Sequence, residues 1–185
     1  MTKKRQKFVI VDGNAILHRA WHALPPTMTN KDGTVVNAVY GFLTTLFRAM
    51  KELKPDYLAV TFDRKEKTFR HEEYVEYKAN REKQPDELYD QLPILKQVLE
   101  AMNIKIYEKA GFEADDVIGT LCDKKSVDRE NILSVIVTGD MDALQLVDDN
   151  TEVYTMRKGM SDTVIYNEEQ VKEKYNGLVP DQLID

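Results

Sequence analysis

Short, unbroken apolar runs that end on aspartate constrain this chain more than any other feature. The stretches "KFVIVD", "YLAVTFD" and "ILSVIVTGD" each hold a β-branched or aromatic run of strand length, followed at once or within two residues by an acid. A continuous run, rather than alternation, suits a strand buried on both faces, as in a parallel sheet covered by helices. Two more strands are predicted at "IKIYE" and "TEVYT". Between them, helical periodicity occupies residues 15–23, 36–53, 86–102, 114–127, 141–147 and 168–175, and "TNKDGT" over 29–34 reads as a turn. The alternation predicts an α/β domain with a mainly parallel central sheet and helices on both faces.

With 185 residues and 42% hydrophobic content, the chain can fill one core. The basic start "MTKKRQK" leads into an apolar run too short for a signal peptide. No run approaches the roughly 20 apolar residues of a membrane helix, so a soluble, cytoplasmic protein is expected, with no membrane partner and nothing demanding more than a monomer. The single cysteine, Cys122, follows Val117, Ile118 and Leu121 on a helical pattern. It is expected to be a packed core thiol, and it excludes an internal disulfide and a multi-cysteine metal site.

The stretch "GFEADDVIGT" places Glu113, Asp115 and Asp116 within four residues, ahead of an apolar helical face. One or two acids there would be ordinary helix-start chemistry, each interacting favourably with the helix dipole by about 0.3–1 kcal/mol. Strand ends add Asp12, Asp63, Asp140 and Asp142. In open parallel sheets, sites form beyond the carboxyl ends of the strands, so all seven acids are expected to converge on one edge. Separate caps and turns explain each acid singly but not the set. Packed carboxylates repel one another, and hard oxygen donors with few histidines point to Mg²⁺ or Mn²⁺ rather than Zn²⁺. Two such ions can clamp a phosphodiester. The formal net charge of −6 argues against a nucleic-acid partner only until these seven acids are set aside, after which the remainder is slightly basic.

Taken in order, "VDGN" with "HRAWHALPP", "VTFD…KTFRHE…YKANR", "GFEADDVIGTL", "VTGDMDALQLV" and "YNGLVPDQLID" resemble the 5′ nuclease family found at the N-terminus of bacterial DNA polymerase I, within the flap endonuclease superfamily. The resemblance spans essentially the whole chain. It implies one PIN-like three-layer domain over 1–185 with a helical arch inserted at about 64–92. The implied activity is divalent-metal-dependent, structure-selective 5′ to 3′ exonuclease and flap endonuclease cleavage, removing RNA primers and 5′ flaps in DNA replication and repair. Its implied partners are DNA with a 5′ flap, a nick or an RNA primer. By analogy, Asp12, Asp63, Glu113 and Asp115 lie toward a first ion, and Asp116, Asp140 and Asp142 toward a second. The family continues past "LID" with two further aspartates, a helix-hairpin-helix and a polymerase. With the sequence ending at Asp185, the second metal site is expected to be incomplete and those domains absent. Alternative readings are a non-catalytic fragment that binds DNA and metal, and a PIN-type single-strand ribonuclease.

Arg70, Tyr74, Tyr77, Lys78 and Arg81 recur every three or four residues, which predicts one helical face mixing rings and cations. Such a stripe suits single-stranded nucleic acid, through stacking and phosphate contacts. A solvated face whose tyrosines pack inward is the open alternative. The resemblance places Tyr77, Lys78 and Arg81 at the scissile phosphate, with Lys78 and Arg81 as catalytic cations offsetting developing charge. Lys65 and Lys67 flank this segment and could add salt-sensitive affinity. His18 stands where many relatives carry an aromatic ring that stacks on a base, and Arg19 could reach a phosphate. Trp21 is expected in the core.

Overall fold

The computed structural model of the chain describes residues 5–74, 76–77, 84–123, 131–157 and 162–183. Its centre is a six-stranded sheet of β1 (Gln6–Asp12), β2 (Tyr57–Thr61), β3 (Lys105–Tyr107), β4 (Ile132–Val137), β5 (Thr151–Met156) and β6 (Thr163–Tyr166). The spatial order is β3-β2-β1-β4-β5-β6. The first five strands run parallel and β6 lies antiparallel on β5. The chain builds outward from β1 to β3 on one side and then returns to place β4 on the other. The switch point therefore falls at the carboxyl ends of β1, β2 and β4.

The helices are α1 (Gly13–Ala23), α2 (Asn37–Leu53), α3 (Phe69–Glu73), α4 (Asp86–Tyr89), α5 (Gln91–Ala101), α6 (Ala114–Cys122) and α7 (Glu168–Lys174). Successive β1 residues face opposite ways, as pleating requires. Val9 and Val11 pack with Leu17, Phe42, Leu46 and Leu95 on one side, joined at their edge by Trp21. Ile10 packs with Ile118, Cys122, Leu144 and Val171 on the other. These two buried layers make the expected three-layer α/β fold, and Cys122 is a core thiol. Among the described residues no helix is long and apolar enough to cross a membrane.

The structure departs from the sequence expectations where tertiary partners decide. The strand β6 was not anticipated, because four half-exposed residues at a sheet edge carry little pattern of their own, and its pairing of Ile165 with Tyr154 defines it. The helix expected over 86–102 is broken at Asp90 into α4 and α5. Pro93 has no N–H for the Tyr89 carbonyl, and its ring crowds that turn, so the first helix cannot run on. The helix expected over 114–127 is described as far as Cys122, and 124–130 lie outside the described residues. Residues Asp142–Leu146 form a 3-10 turn rather than an α-helix.

The helix expected to carry the stripe from Arg70 to Arg81 stops much earlier. It ends at Glu73, and Tyr74 is extended at φ −131° and ψ 101°. Because α3 buries none of its residues, it has no packed face to sustain a longer helix. Tyr74 points to solvent at 67% exposure, while Tyr77 turns inward. Lys78 and Arg81 lie outside the described residues.

The break before α5 has a structural use. Gln91 is buried, and its Oε1 accepts from the Ala38 N–H at 2.9 Å, while its Nε2 donates to Asn37 Oδ1 at 3.0 Å. The N-cap residue of α2, Val36, offers no side-chain acceptor, so a residue from another helix supplies the cap. Replacing Gln91 with leucine strands these buried groups and is expected to destabilise the fold by about 2 kcal/mol in urea denaturation.

Candidate functional site

The end of β1 delivers Asp12 as the N-cap of α1, its Oδ1 accepting from the Ala15 N–H at 3.0 Å. Its Oδ2 accepts from the Thr138 hydroxyl at 2.7 Å, across the sheet at the end of β4. Thr138 in turn accepts from the Asp140 N–H at 3.0 Å, so one buried hydroxyl links two strand ends. Asp63, just past β2, is held from both sides. Its Oδ2 accepts from Asn14 Nδ2 at 3.0 Å, and its own N–H donates to Asn14 Oδ1 at 3.0 Å. Its Oδ1 accepts from the Ala114 N–H at the start of α6.

Glu113 is the N-cap residue of α6 and is almost fully buried. Its Oε2 accepts from the Tyr77 hydroxyl at 3.1 Å, and the Tyr77 ring stands edge-on to His71 with centroids 5.3 Å apart. Asp140 Oδ1 accepts from the Asp142 N–H at 3.0 Å, which places Asp142 at the head of the 3-10 turn. Asp12, Asp63, Glu113, Asp115, Asp140 and Asp142 all line one cleft of about 1000 Å³, together with His18, Lys65 and Tyr77. A second cleft of about 790 Å³, bounded by Cys122, Leu146, Val179 and Asp181, contains none of the seven acids.

The electrostatics follow from this crowding. Burial pushes the Asp12 carboxyl above its ordinary value, the Ala15 and Thr138 hydrogen bonds oppose the rise, and the Asp63 and Asp140 charges add to it. Asp115 projects from α6 into the open cleft and remains solvent-accessible on its outer side. Partial burial, followed by the charges of Asp12, Asp140, Asp63 and Glu113, still raises it to about 7. Among the described residues, no three acidic, histidine or cysteine side chains stand close enough to chelate one ion as they are held here.

Four expected site residues sit apart from the cleft lining. Asp116 meets Arg70 in a two-pronged salt bridge, with N–O distances of 2.7 and 2.8 Å. Arg19 donates from Nη2 to the Met156 carbonyl at 2.9 Å, at the end of β5. Tyr74 is in solvent. Conversely, Asn14 and Thr138 were given no role by sequence reasoning, although both stand in the quoted motifs "VDGN" and "VTGD". A polar residue two positions from a strand-end acid, across a glycine, is the signal that identifies them.

Residues 7–176 match the family described as the 5′-3′ exonuclease, N-terminal resolvase-like domain. The chain belongs to that family. This 5′-3′ exonuclease N-terminal domain is 44% identical to DNA polymerase I of Bacillus subtilis (strain 168) over 182 residues, which is 98% of the chain and 20% of the relative. It thus spans about a fifth of the length of that curated relative. Among solved structures, the T5 5′-exonuclease with bound divalent metal ions (zinc) superposes with a TM-score of 0.71 at 20% identity, covering 96% of this chain and 64% of that one. A bacteriophage T5 flap endonuclease in a pseudo-enzyme-product complex with DNA and metal ions gives 0.70 at 20% identity, with coverage of 96% and 64%. At that identity the likeness establishes a shared fold.

Proposed function

We propose that this domain is a divalent-metal-dependent, structure-selective 5′ nuclease that hydrolyses phosphodiesters in DNA bearing a 5′ flap, a nick or an RNA primer. The observation that carries this reading is the gathering of six carboxylates around one cleft at the sheet's switch point. Membership of the 5′-3′ exonuclease family supports it, as does the DNA and metal content of the T5 complex.

The donor set fits hard divalent ions such as Mg²⁺ or Mn²⁺, because it consists of carboxylate oxygens that repel one another without a counter-charge. Asp12, Asp63, Glu113 and Asp115 would hold one ion, and Asp140 and Asp142 a second. Asp115, Asp140 and Asp142 are exposed, so a rotamer change can bring them inward to complete chelation. When bound, a pair of such ions supplies a hydroxide-like water and offsets charge on the leaving oxygen. Asn14 and the Ala114 N–H orient Asp63, and Thr138 orients Asp12, so the inner carboxylates are set in place beforehand. Tyr77 and His18 line the cleft and can stack on bases, while Lys78 and Arg81 would meet the scissile phosphate. The same reading makes the protein a monomer acting in the bacterial cytoplasm.

The test is gel-resolved cleavage of a 5′-labelled flap duplex in Mg²⁺, Mn²⁺ or EDTA. Product near the junction that requires metal supports the proposal. Cleavage in EDTA, or cleavage of linear RNA with no preference for a 5′ junction, would overturn it. Replacing Thr138 with valine, which keeps the shape but removes the hydroxyl, is expected to weaken Mn²⁺ binding by about tenfold in a calorimetric titration.

A further inference from the structure

Asp115 and Asp116 are neighbours in sequence, and both were expected to hold metal, yet α6 points them in different directions. At 3.6 residues per turn, adjacent side chains on a helix diverge by about 100°. Asp115 takes the cleft, and Asp116 takes the side where α3 lies. Both oxygens of Asp116 are engaged there. Oδ1 accepts from Arg70 Nη2 at 2.8 Å, and Oδ2 accepts from Arg70 Nη1 at 2.7 Å and from the Glu113 N–H at 2.9 Å. Arg70 Nη1 also stands 3.9 Å from Glu113 Oε2.

Further contacts of α3 reinforce the same junction. The Phe69 N–H donates to the Gly111 carbonyl at 3.0 Å. Gly111 has φ +82°, a left-handed conformation that a side chain would strain, and it turns the chain toward α6. The Phe69 and Phe112 rings meet at 5.6 Å between centroids, and the Arg70 guanidinium lies 4.6 Å over the Phe69 ring. A planar guanidinium that pairs with both carboxylate oxygens and stacks on a ring is held in one orientation.

We propose that Asp116 is not a metal ligand but the fixed end of a latch. Arg70 closes that latch, tying α3 to the first turn of α6 so that Glu113 and Asp115 keep their places at the cleft. Arg70 and Asp116 are then positioning residues. Their bond also transmits any movement of the α3 side to two of the acids at the metal site. The inference rests on the metal reading above for its readout, and on the contacts just described for its geometry.

The experiment compares the purified wild-type chain with Arg70→Gln, Asp116→Asn and the double variant, using Mn²⁺ as probe and the electron paramagnetic resonance of free Mn²⁺ to count ions and measure affinity. The number of bound ions is expected to stay the same in all four proteins. Each single variant should lose about tenfold in affinity, the scale of an outer-shell change, and the double variant should lose the same tenfold rather than about a hundredfold. Loss of an ion in Asp116→Asn, or a weakening confined to that variant while Arg70→Gln binds as well or better, would make Asp116 a ligand and overturn the latch. Multiplying losses in the double variant would overturn it too. If the wild type binds no Mn²⁺, the metal reading itself fails. Thermal melts of the same four proteins in EDTA then decide the latch, which requires the two single losses in melting temperature not to add.

Discussion

Changing Asp115 to asparagine is expected to lower flap cleavage by about 10²- to 10³-fold, the loss typical when a preorganised charge is taken from a reacting centre. The same substitution should raise the melting temperature of the metal-free protein. Asp115 faces Asp12, Asp140, Asp63 and Glu113, whose charges, after partial burial, raise its carboxyl to about 7 from an ordinary 3.8. Folding therefore takes up a proton between those two values, because the native state holds one that the unfolded chain has released. Stability without metal must then fall as pH rises through that window, and burial shifts Asp12 in the same direction. Below the ordinary value both states are protonated and the unfavourable term vanishes. Melts in EDTA at about pH 5.5 and about pH 8 should show the wild type losing more stability than Asp115→Asn over that interval. Divalent cations should restore what the wild type loses at the higher pH, since they bind only the arrangement that gathers the acids. A wild type and variant with parallel pH profiles would contradict the assigned crowding. Function here opposes stability at one residue.

Replacing Gly13 with alanine is expected to destabilise the protein by about 3 kcal/mol, the upper part of the usual range for overpacking a core. A methyl group there would sit 2.3 Å from Phe62 Cε1 and 2.5 Å from the Thr61 carbonyl oxygen. The backbone cannot yield locally. Thr61 pairs with Asp12 in the β1–β2 ladder, and Phe62 is fully buried. Relief must come from moving β1 against β2, which carries Asp12 and Asn14 away from Asp63. Urea denaturation should record the lost stability, and Mn²⁺ titration of the folded variant should record weaker binding. Cleavage and affinity close to wild type would show that the strand ends tolerate more separation than the Asn14–Asp63 pair suggests.

These two residues also show how far sequence reasoning reaches. Gly13 follows Asp12 in "VDG", and the dipeptide reads as a turn. Its true constraint is Phe62, distant in sequence, which only packing reveals. The helix over 86–102 reads as continuous by periodicity, and the local chemistry of Pro93 could have flagged its break. Nothing local indicates that Gln91 would then cap α2 from a different helix. The stripe of Arg70, Tyr74 and Tyr77 matches helical spacing, but spacing implies a shared face only where the helix persists.

The sequence by itself determined the α/β alternation, the buried parallel strands and the acids at their ends, because each depends on residues close together in the chain. A five-residue apolar run commits to a covered strand, and the residue after it must lie at the sheet edge wherever the strand sits. Tertiary structure alone decided which side of β1 receives β4, and so which strand ends meet. It also decided that β6 pairs with β5, that Asn14 and Thr138 brace Asp63 and Asp12, and that Asp116 turns to Arg70 while Asp115 turns to the cleft. Each of these depends on a partner distant in sequence, whose arrival no local propensity encodes.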